Sequence, residues 1–230
     1  MLANHYRGLF AACLAVTLAC QACQTTRESA PEATAGARPV DTRAALKEAR
    51  FREAVKGLDF DSGLVIVVEA TGEDAAGART YRDQGLERLD SNQLTGSLTL
   101  LAKAVRTDPQ YAQGYESLGR ALQTKGKDEY ALAAFRTALT IDPDFVDAQY
   151  GLASQLARLG RRGDAIAQMQ RVLDLDPQNA RAHERLAIWY YYDEDPDAAW
   201  RHVHAARDLG RQPPPQFIAL LQAQRPDPGR

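Results

Sequence analysis

Cysteine is scarce in this chain, and the three present (Cys13, Cys20 and Cys23) all lie in the first 23 of 230 residues. The remainder therefore holds no disulfide and no thiolate metal site. Histidine is nearly as rare. His202 and His204 stand two apart and would point to different sides of a helix, and no cysteine or spaced carboxylate completes a zinc set around His183 and His202. The acidic stretch Asp193–Asp197 lacks the twelve-residue calcium loop with its central glycine and terminal glutamate. A glycine-rich phosphate loop and a nucleophile elbow are also missing. The formal charge of −2 offers no general polyanion-binding surface, so nucleic acid is not an expected partner. Together these absences read as a non-catalytic protein without cofactor or metal.

What is present is a repeat. Residues Tyr111 to Pro143 read as two short amphipathic helices around the turn Lys125-Gly126-Lys127-Asp128. Tyr115, Leu118, Gly119 and Leu122 share one face of the first helix, and Ala131, Ala134, Phe135 and Ala138 share one face of the second, at spacings of three and four. Gly126 supplies the positive φ that a helix end requires. Asp142-Pro143 ends the second helix, because proline cannot continue the hydrogen-bond ladder. Asp-Pro recurs at 108–109, 142–143 and 176–177, a period of 34.

That period, with a helix–turn–helix unit, resembles the tetratricopeptide repeat family. The resemblance rests on Tyr115, Leu118-Gly119, Leu122, Ala131, Phe135, Ala138 and Pro143 in residues 112–145. It continues with Leu152-Ala153, Leu156, Ala165, Met169 and Pro177 in 146–179, and with Leu186-Ala187, Tyr190, Ala199, Val203 and Ala206 in 180–213. Residues 78–111 keep Tyr81, Gly85, Leu101, Ala104 and Pro109 but depart at Gln84, Arg88 and Ser97. The expected fold is an all-α solenoid of about four repeats over 78–213, with an N-terminal extension over 41–77 and a capping helix and loose tail over 214–230. Gly119, Ala153 and Ala187 are small where helices approach, while Phe135, Met169 and Val203 fill the space between one helix pair and the next. Tyr190 is expected in the core by repeat register.

The N-terminus reads as an export signal. Arg7 precedes the eleven-residue apolar run Leu9–Ala19, too short for the 17–25 residues of a spanning helix. Thr17-Leu18-Ala19-Cys20 resembles the lipobox of bacterial lipoproteins. It implies cleavage after residue 19 and lipid attachment at Cys20, with Cys23 as the alternative. Gln21 implies the outer membrane, facing the periplasm. Residues 20–40, rich in Thr, Ala, Glu, Pro and Gly, would form a flexible tether.

The extension is harder to read. Asp41–Gly57 is expected to form a helix capped by Asp41, with Leu46, Ala49, Ala54 and Val55 on its buried face. Leu64–Val68 is β-branched and apolar, and three readings stand open. It forms a helix under the first repeat; or a strand pairing near Thr80 or with another copy; or a segment ordered by a partner. Asp59, Asp61, Glu69 and Glu73 would line a polar pocket if this region held an enzyme site, and Leu64–Val68 would be the intermolecular strand of a self-assembling protein.

The family resemblance implies that the first helix of each repeat lines a groove for a peptide or protein. The groove residues are then Glu116, Arg120, Tyr150, Ser154, Arg181, Arg185, Ile188 and Tyr191, with Gln123, Asp147 and Glu184 beside them. The carboxylate-clamp subfamily is not matched, since Glu116, Arg120 and Gly151 occupy the first three clamp positions; Arg181 and Arg185 match only the last two, in charge. The expected ligand is an acidic or aromatic-bearing peptide. Lipoproteins of this build resemble pilotin-like factors of pilus assembly, which implies a partner in an envelope complex.

Overall fold

The computed structural model describes residues 42–229 except 61, 62, 69 and 73. Proposed lipid sites Cys20 and Cys23, the signal segment, the tether and Asp41 lie outside these residues. The described chain is an α-solenoid. After α1 (Thr42–Ala54) and two short strands, β1 (Leu58–Asp59) and β2 (Ile66–Val67), eight helices follow in antiparallel-adjacent pairs. The pairs are α2 (Ala75–Asp90) with α3 (Leu94–Thr107), α4 (Ala112–Thr124) with α5 (Asp128–Ile141), α6 (Val146–Arg158) with α7 (Arg162–Leu175), and α8 (Ala180–Tyr192) with α9 (Pro196–Asp208). A last helix, α10 (Pro215–Gln224), closes the array.

The backbone shows why the period is 34. Within each pair the turn needs one residue in the left-handed region. Those residues are Asn92 (φ 58°), Gly126 (75°), Gly160 (78°) and Glu194 (60°), each 34 positions after the last. Glycine adopts this conformation without strain, and the two end repeats tolerate other residues there. Between pairs the stop is an aspartate. Asp108, Asp142 and Asp176 each leave the helix in an extended conformation, with the backbone N–H still bonded to Ala104, Ala138 and Val172 respectively. Each Oδ1 then accepts the backbone N–H two residues on, at 3.0, 3.3 and 3.2 Å. This side-chain turn points the chain into the next helix.

Packing follows the same register. Gly119, Ala153 and Ala187 are buried, as are Phe135, Met169 and Val203. Phe135 is fully enclosed: a Cβ on Gly119 of α4 would come within 2.8 Å of its ring, and a Cβ on Gly151 of α6 would collide with it outright. Two glycines on successive helices thus make the slot for one phenyl ring. The first helices of neighbouring pairs lie against each other, α2 on α4 and α4 on α6.

The extension differs from expectation. Phe51 and Ala54 of α1 and Val55 just after it are buried, while Leu46 is 62% exposed and Ala49 is exposed. Only the C-terminal half of α1 meets the solenoid. Phe51 stacks on Tyr130 of α5 with ring centroids 5.5 Å apart, and the Lys127 ammonium lies 4.4 Å from the Phe51 ring centre and 2.6 Å from Glu48 Oε2. The segment Leu64–Val68 is not a helix. Its residues Ile66 and Val67 form β2, paired antiparallel with β1 (Leu58 opposite Val67, Asp59 opposite Ile66) rather than with a segment near Thr80. Thr137 of α5 anchors it by accepting the Val65 N–H at 2.8 Å. A hairpin of two residues per strand supplies the partner that a strand in a helical array needs.

The C-terminal residues are not a loose tail. Trp200 Nε1 donates to the Arg225 carbonyl at 3.1 Å, Arg225 pairs with Asp197 at 2.9 Å, and Asp227 Oδ1 lies 2.9 Å from His204 Nε2. Beneath this strap Phe217 and Leu221 of α10 pack with Ala187, Ala199, Trp200 and Val203, covering the apolar end of the last pair.

Candidate functional site

A polar recess on the first-helix side lies between α4, α6 and α8. On α4, Glu116, Arg120 and Gln123 are spaced by four and three and so share a face; Asp147, Tyr150 and Ser154 do the same on α6. With Arg181 of α8 they line a recess of about 350 Å³ whose wall includes Gly151 and the edge of Phe135. The ring that fixes the stacking of the repeats therefore also shapes the recess.

Five of the eight residues expected in a groove, Glu116, Arg120, Tyr150, Ser154 and Arg181, meet here. Arg185 flanks it, donating from Nε to the Tyr150 hydroxyl at 3.2 Å. The Arg181 guanidinium sits 4.6 Å above the Tyr150 ring centre. Tyr150 is thus held between two arginines, and neither has a carboxylate partner among the described residues. Ile188 and Tyr191 are drawn elsewhere. Tyr191 meets Phe217 of α10 edge-on, with ring centroids 5.8 Å apart, and Ile188 packs against the same apolar cluster.

Glu116 is 9% exposed, and burial pushes its carboxyl above the usual range against the opposing pull of Arg120, 3.8 Å away, and of the Ser117 hydroxyl, which donates to Oε2 at 3.2 Å. The Ser154 hydroxyl is enclosed without a protein partner. The recess therefore offers one interior acid ringed by cations, a polar hydroxyl and an aromatic face. That arrangement suits recognition of a charged, partly apolar segment.

Other residues escaped the sequence reading. Gln155 is wholly buried; its Nε2 donates to Asp128 Oδ1 at 2.9 Å and its Oε1 accepts from Gln123 Nε2 at 3.0 Å. Arg158 Nε adds a second bond to Asp128 at 3.1 Å, and these donors hold the Asp128 carboxyl below the ordinary carboxylate range, the Gln155 bond contributing most. The network ties α4, α5 and α6 at one end of the recess. A buried glutamine at an otherwise apolar face is the one signal the sequence carried for it.

On α8 the buried aromatic is Trp189, not Tyr190. Tyr190 is half-buried and stacks on His202, centroids 5.5 Å apart and rings 6° from parallel. His183 and His202 do approach, with Nδ1 atoms 2.9 Å apart, and His183 Nε2 lies 3.3 Å from the Pro177 carbonyl. That carbonyl can only accept, so a neutral His183 carries its proton on Nε2 and accepts at Nδ1 from His202. Burial, with the charges of His183 and Arg201, lowers the His202 pKa to about 4. The unfolded chain binds this proton near pH 6.5 and the folded chain does not. Stability is therefore intact above about pH 6.5 and falls as pH drops toward 4. With partial solvent screening, the loss is about 1–2 kcal/mol. His202→Phe should flatten the thermal midpoint between pH 7 and 5 relative to wild type; an unchanged slope would remove His202 as its source.

No group of three potential metal ligands is found among the described residues, and no helix there is long and apolar enough to cross a membrane. Of the four acids expected around an enzyme site in the extension, Asp59 lines a shallow recess with Phe51, Lys56, Phe60 and Tyr130; Asp61, Glu69 and Glu73 lie outside the described residues.

Two models of the tetratricopeptide repeat match the chain, one over residues 82–145 and one over 129–188. No curated protein matches it in sequence. Solved structures share the fold at low identity. MamA from Desulfovibrio magneticus RS-1 is 22% identical, with a TM-score of 0.55, over 66% of this chain and 87% of that one. PilF of Pseudomonas aeruginosa is 21% identical, with a TM-score of 0.58, over 64% and 67%. The first such domain of Spaghetti (RPAP3), bound to the HSP90 peptide SRMEEVD, is 18% identical, with a TM-score of 0.51, over 52% and 95%.

Proposed function

We propose, from the premise that the chain carries tetratricopeptide repeats, that it is a non-catalytic scaffold whose recess between α4, α6 and α8 holds a segment of a protein partner. The observation that carries this reading is the half-buried Tyr150 set between Arg181 and Arg185, two cations without an acidic partner among the described residues. An acidic or aromatic-bearing segment satisfies all three groups at once. Guanidinium–carboxylate pairs supply orientation, and the aromatic face supplies apolar area. The neighbour that binds SRMEEVD shows this fold accommodating an acidic peptide. Here Glu116, Arg120 and Gly151 stand at clamp positions, so the docking is expected to centre on α6 and α8.

Signal cleavage before Cys20 and lipid attachment there would hold the solenoid at the bacterial outer membrane, facing the periplasm, where it would assist assembly of an envelope complex of pilus or secretion type. A lipid chain contributes about 0.8 kcal/mol per buried CH₂, so a multi-chain anchor binds firmly. Cys20→Ala should move the protein from the membrane to the soluble fraction and Cys23→Ala should not; the opposite pattern would make Cys23 the anchor.

Crosslinking in intact cells followed by purification tests the recess. The wild type should capture a defined partner that the folded double variant Arg181→Glu/Tyr150→Ala loses. Equal capture by both would clear the recess of the role.

A further inference from the structure

A second recess lies on the opposite face of α6, away from Tyr150 and Ser154. It measures about 410 Å³ and is lined by Arg136, Leu139 and Thr140 of α5, Gln149 and Leu152 of α6, and Arg171 of α7, with Leu64 of the hairpin and Pro143 at its edge. Two features of this recess, and a third on the hairpin beside it, point to a ligand.

The first is an orphaned acceptor. Gln149 is 3% exposed, and its Nε2 donates to the Pro143 carbonyl at 3.1 Å. Because that carbonyl can only accept, the amide orientation is fixed, and Oε1 is left buried with no donor. Buried acceptors are nearly always paired, so this one calls for a donor that the chain itself does not provide. The second is charge. Arg136 and Arg171 are both exposed, neither pairs with an acid among the described residues, and no acid lines the recess. The third is an apolar row. Leu64, at the rim, begins a series with Ile66 and Val68, which are 48% and 65% exposed. Ile66 lies in β2 with Leu64 and Val68 flanking it, and the intervening Val65 is buried and Val67 half-buried, so the three exposed side chains alternate with covered ones.

We infer that this recess is a second protein-docking site, which takes an extended partner segment alternating apolar and acidic side chains. The acidic side chains meet Arg136 and Arg171, the apolar ones lie along Leu64, Ile66 and Val68, and a backbone N–H of the segment donates to Gln149 Oε1. An extended segment is the form that supplies both a backbone donor and side chains at period two. The site would let the solenoid engage one partner on each side of α6. It stands whether or not the first recess binds anything.

The test is fluorescence anisotropy on the full chain with a labelled hexapeptide of alternating leucine and glutamate, and with its lysine-for-glutamate counterpart. The acidic peptide should bind and the basic one should not. Arg136→Ala/Arg171→Ala should weaken binding about tenfold or more, the loss of a charge-assisted contact. Gln149→Leu should also weaken it by removing the Oε1 acceptor, and its thermal midpoint should fall slightly because the Nε2 bond to the Pro143 carbonyl goes with it. Arg181→Glu/Tyr150→Ala should change affinity less than about twofold. Absence of binding up to millimolar peptide would overturn the assignment, as would equal affinity in the Arg136→Ala/Arg171→Ala protein. So would loss of binding only in the Arg181→Glu/Tyr150→Ala protein, which would assign the peptide to the first recess. If binding tracked self-association in sedimentation runs, the apolar row would instead belong to an interface between copies.

Discussion

Phe135→Ala is expected to lower the unfolding free energy by about 3–5 kcal/mol, the range for removing a fully buried phenyl ring. The ring is enclosed between α4 and α6, and Gly119 and Gly151 face it without a side chain of their own. An alanine there would leave a cavity that the neighbouring backbones cannot close, because each repeat is stabilised through its interface with the next. The same geometry predicts the reverse substitution. Gly151→Ala adds a methyl group where the ring already stands, and overpacking of this kind costs about 1–3 kcal/mol. The two effects are coupled. In a Phe135→Leu background, whose smaller side chain leaves space, Gly151→Ala should cost less than it does alone. Urea denaturation of the four proteins measures this cycle. Additive losses would mean that Gly151 does not form the slot.

Trp200→Ala should cost a similar amount, about 3–5 kcal/mol, for a different reason. The indole is wholly buried against Phe217 and Leu221, and its N–H holds the Arg225 carbonyl, so it joins the last helix pair to the helix and strap that cover it. Trp200→Phe separates the two roles. It keeps most of the buried area and removes the donor, so stability should fall by about 1 kcal/mol while the strap loosens. Hydrogen exchange and limited proteolysis should then show early exposure of residues after 215 in the phenylalanine variant and of α9 as well in the alanine variant. Unaltered exchange in both would mean that the strap is held without Trp200.

The contrast between these two sites shows what the sequence could disclose. The 34-residue register was legible because local chemistry imposes it: a left-handed turn residue in each pair and an aspartate that both stops a helix and caps the following turn. Asn92 and Glu194 carry the same turn as Gly126 and Gly160, but a reader looking for glycine passes over them. Gly151 was visible as a departure from a peptide clamp, whereas its contact is with a ring sixteen positions earlier on another helix. The extension was illegible for the same reason. What orders it is Tyr130, Thr137 and Lys127, all far along the chain, and its two strands are too short to leave an alternating pattern. The final residues, rich in proline and arginine, have no periodicity, and Trp200, His204, Arg207 and Asp197 of α9 define their path.

The candidate site divides along the same line. Glu116, Arg120, Tyr150, Ser154 and Arg181 follow from helix spacing plus the repeat register, so they could be assembled on paper. Tyr191 and Ile188 belong to the same register but lie at the end of α8, where α10 competes for them. The second recess is set by tertiary packing alone, since the unpaired amide oxygen of Gln149 arises only where α5 and α6 meet.

The central claim is that the recess around Tyr150 is where a protein partner sits, and its most direct test is site-specific photocrosslinking in living cells. A photoreactive residue placed at Ser154 should yield a discrete adduct with one partner. That adduct should disappear when Arg181→Glu is added, while the same probe at the exposed position Glu129 should yield none. An adduct of equal strength from both positions, or one from Ser154 that survives Arg181→Glu, would contradict the account.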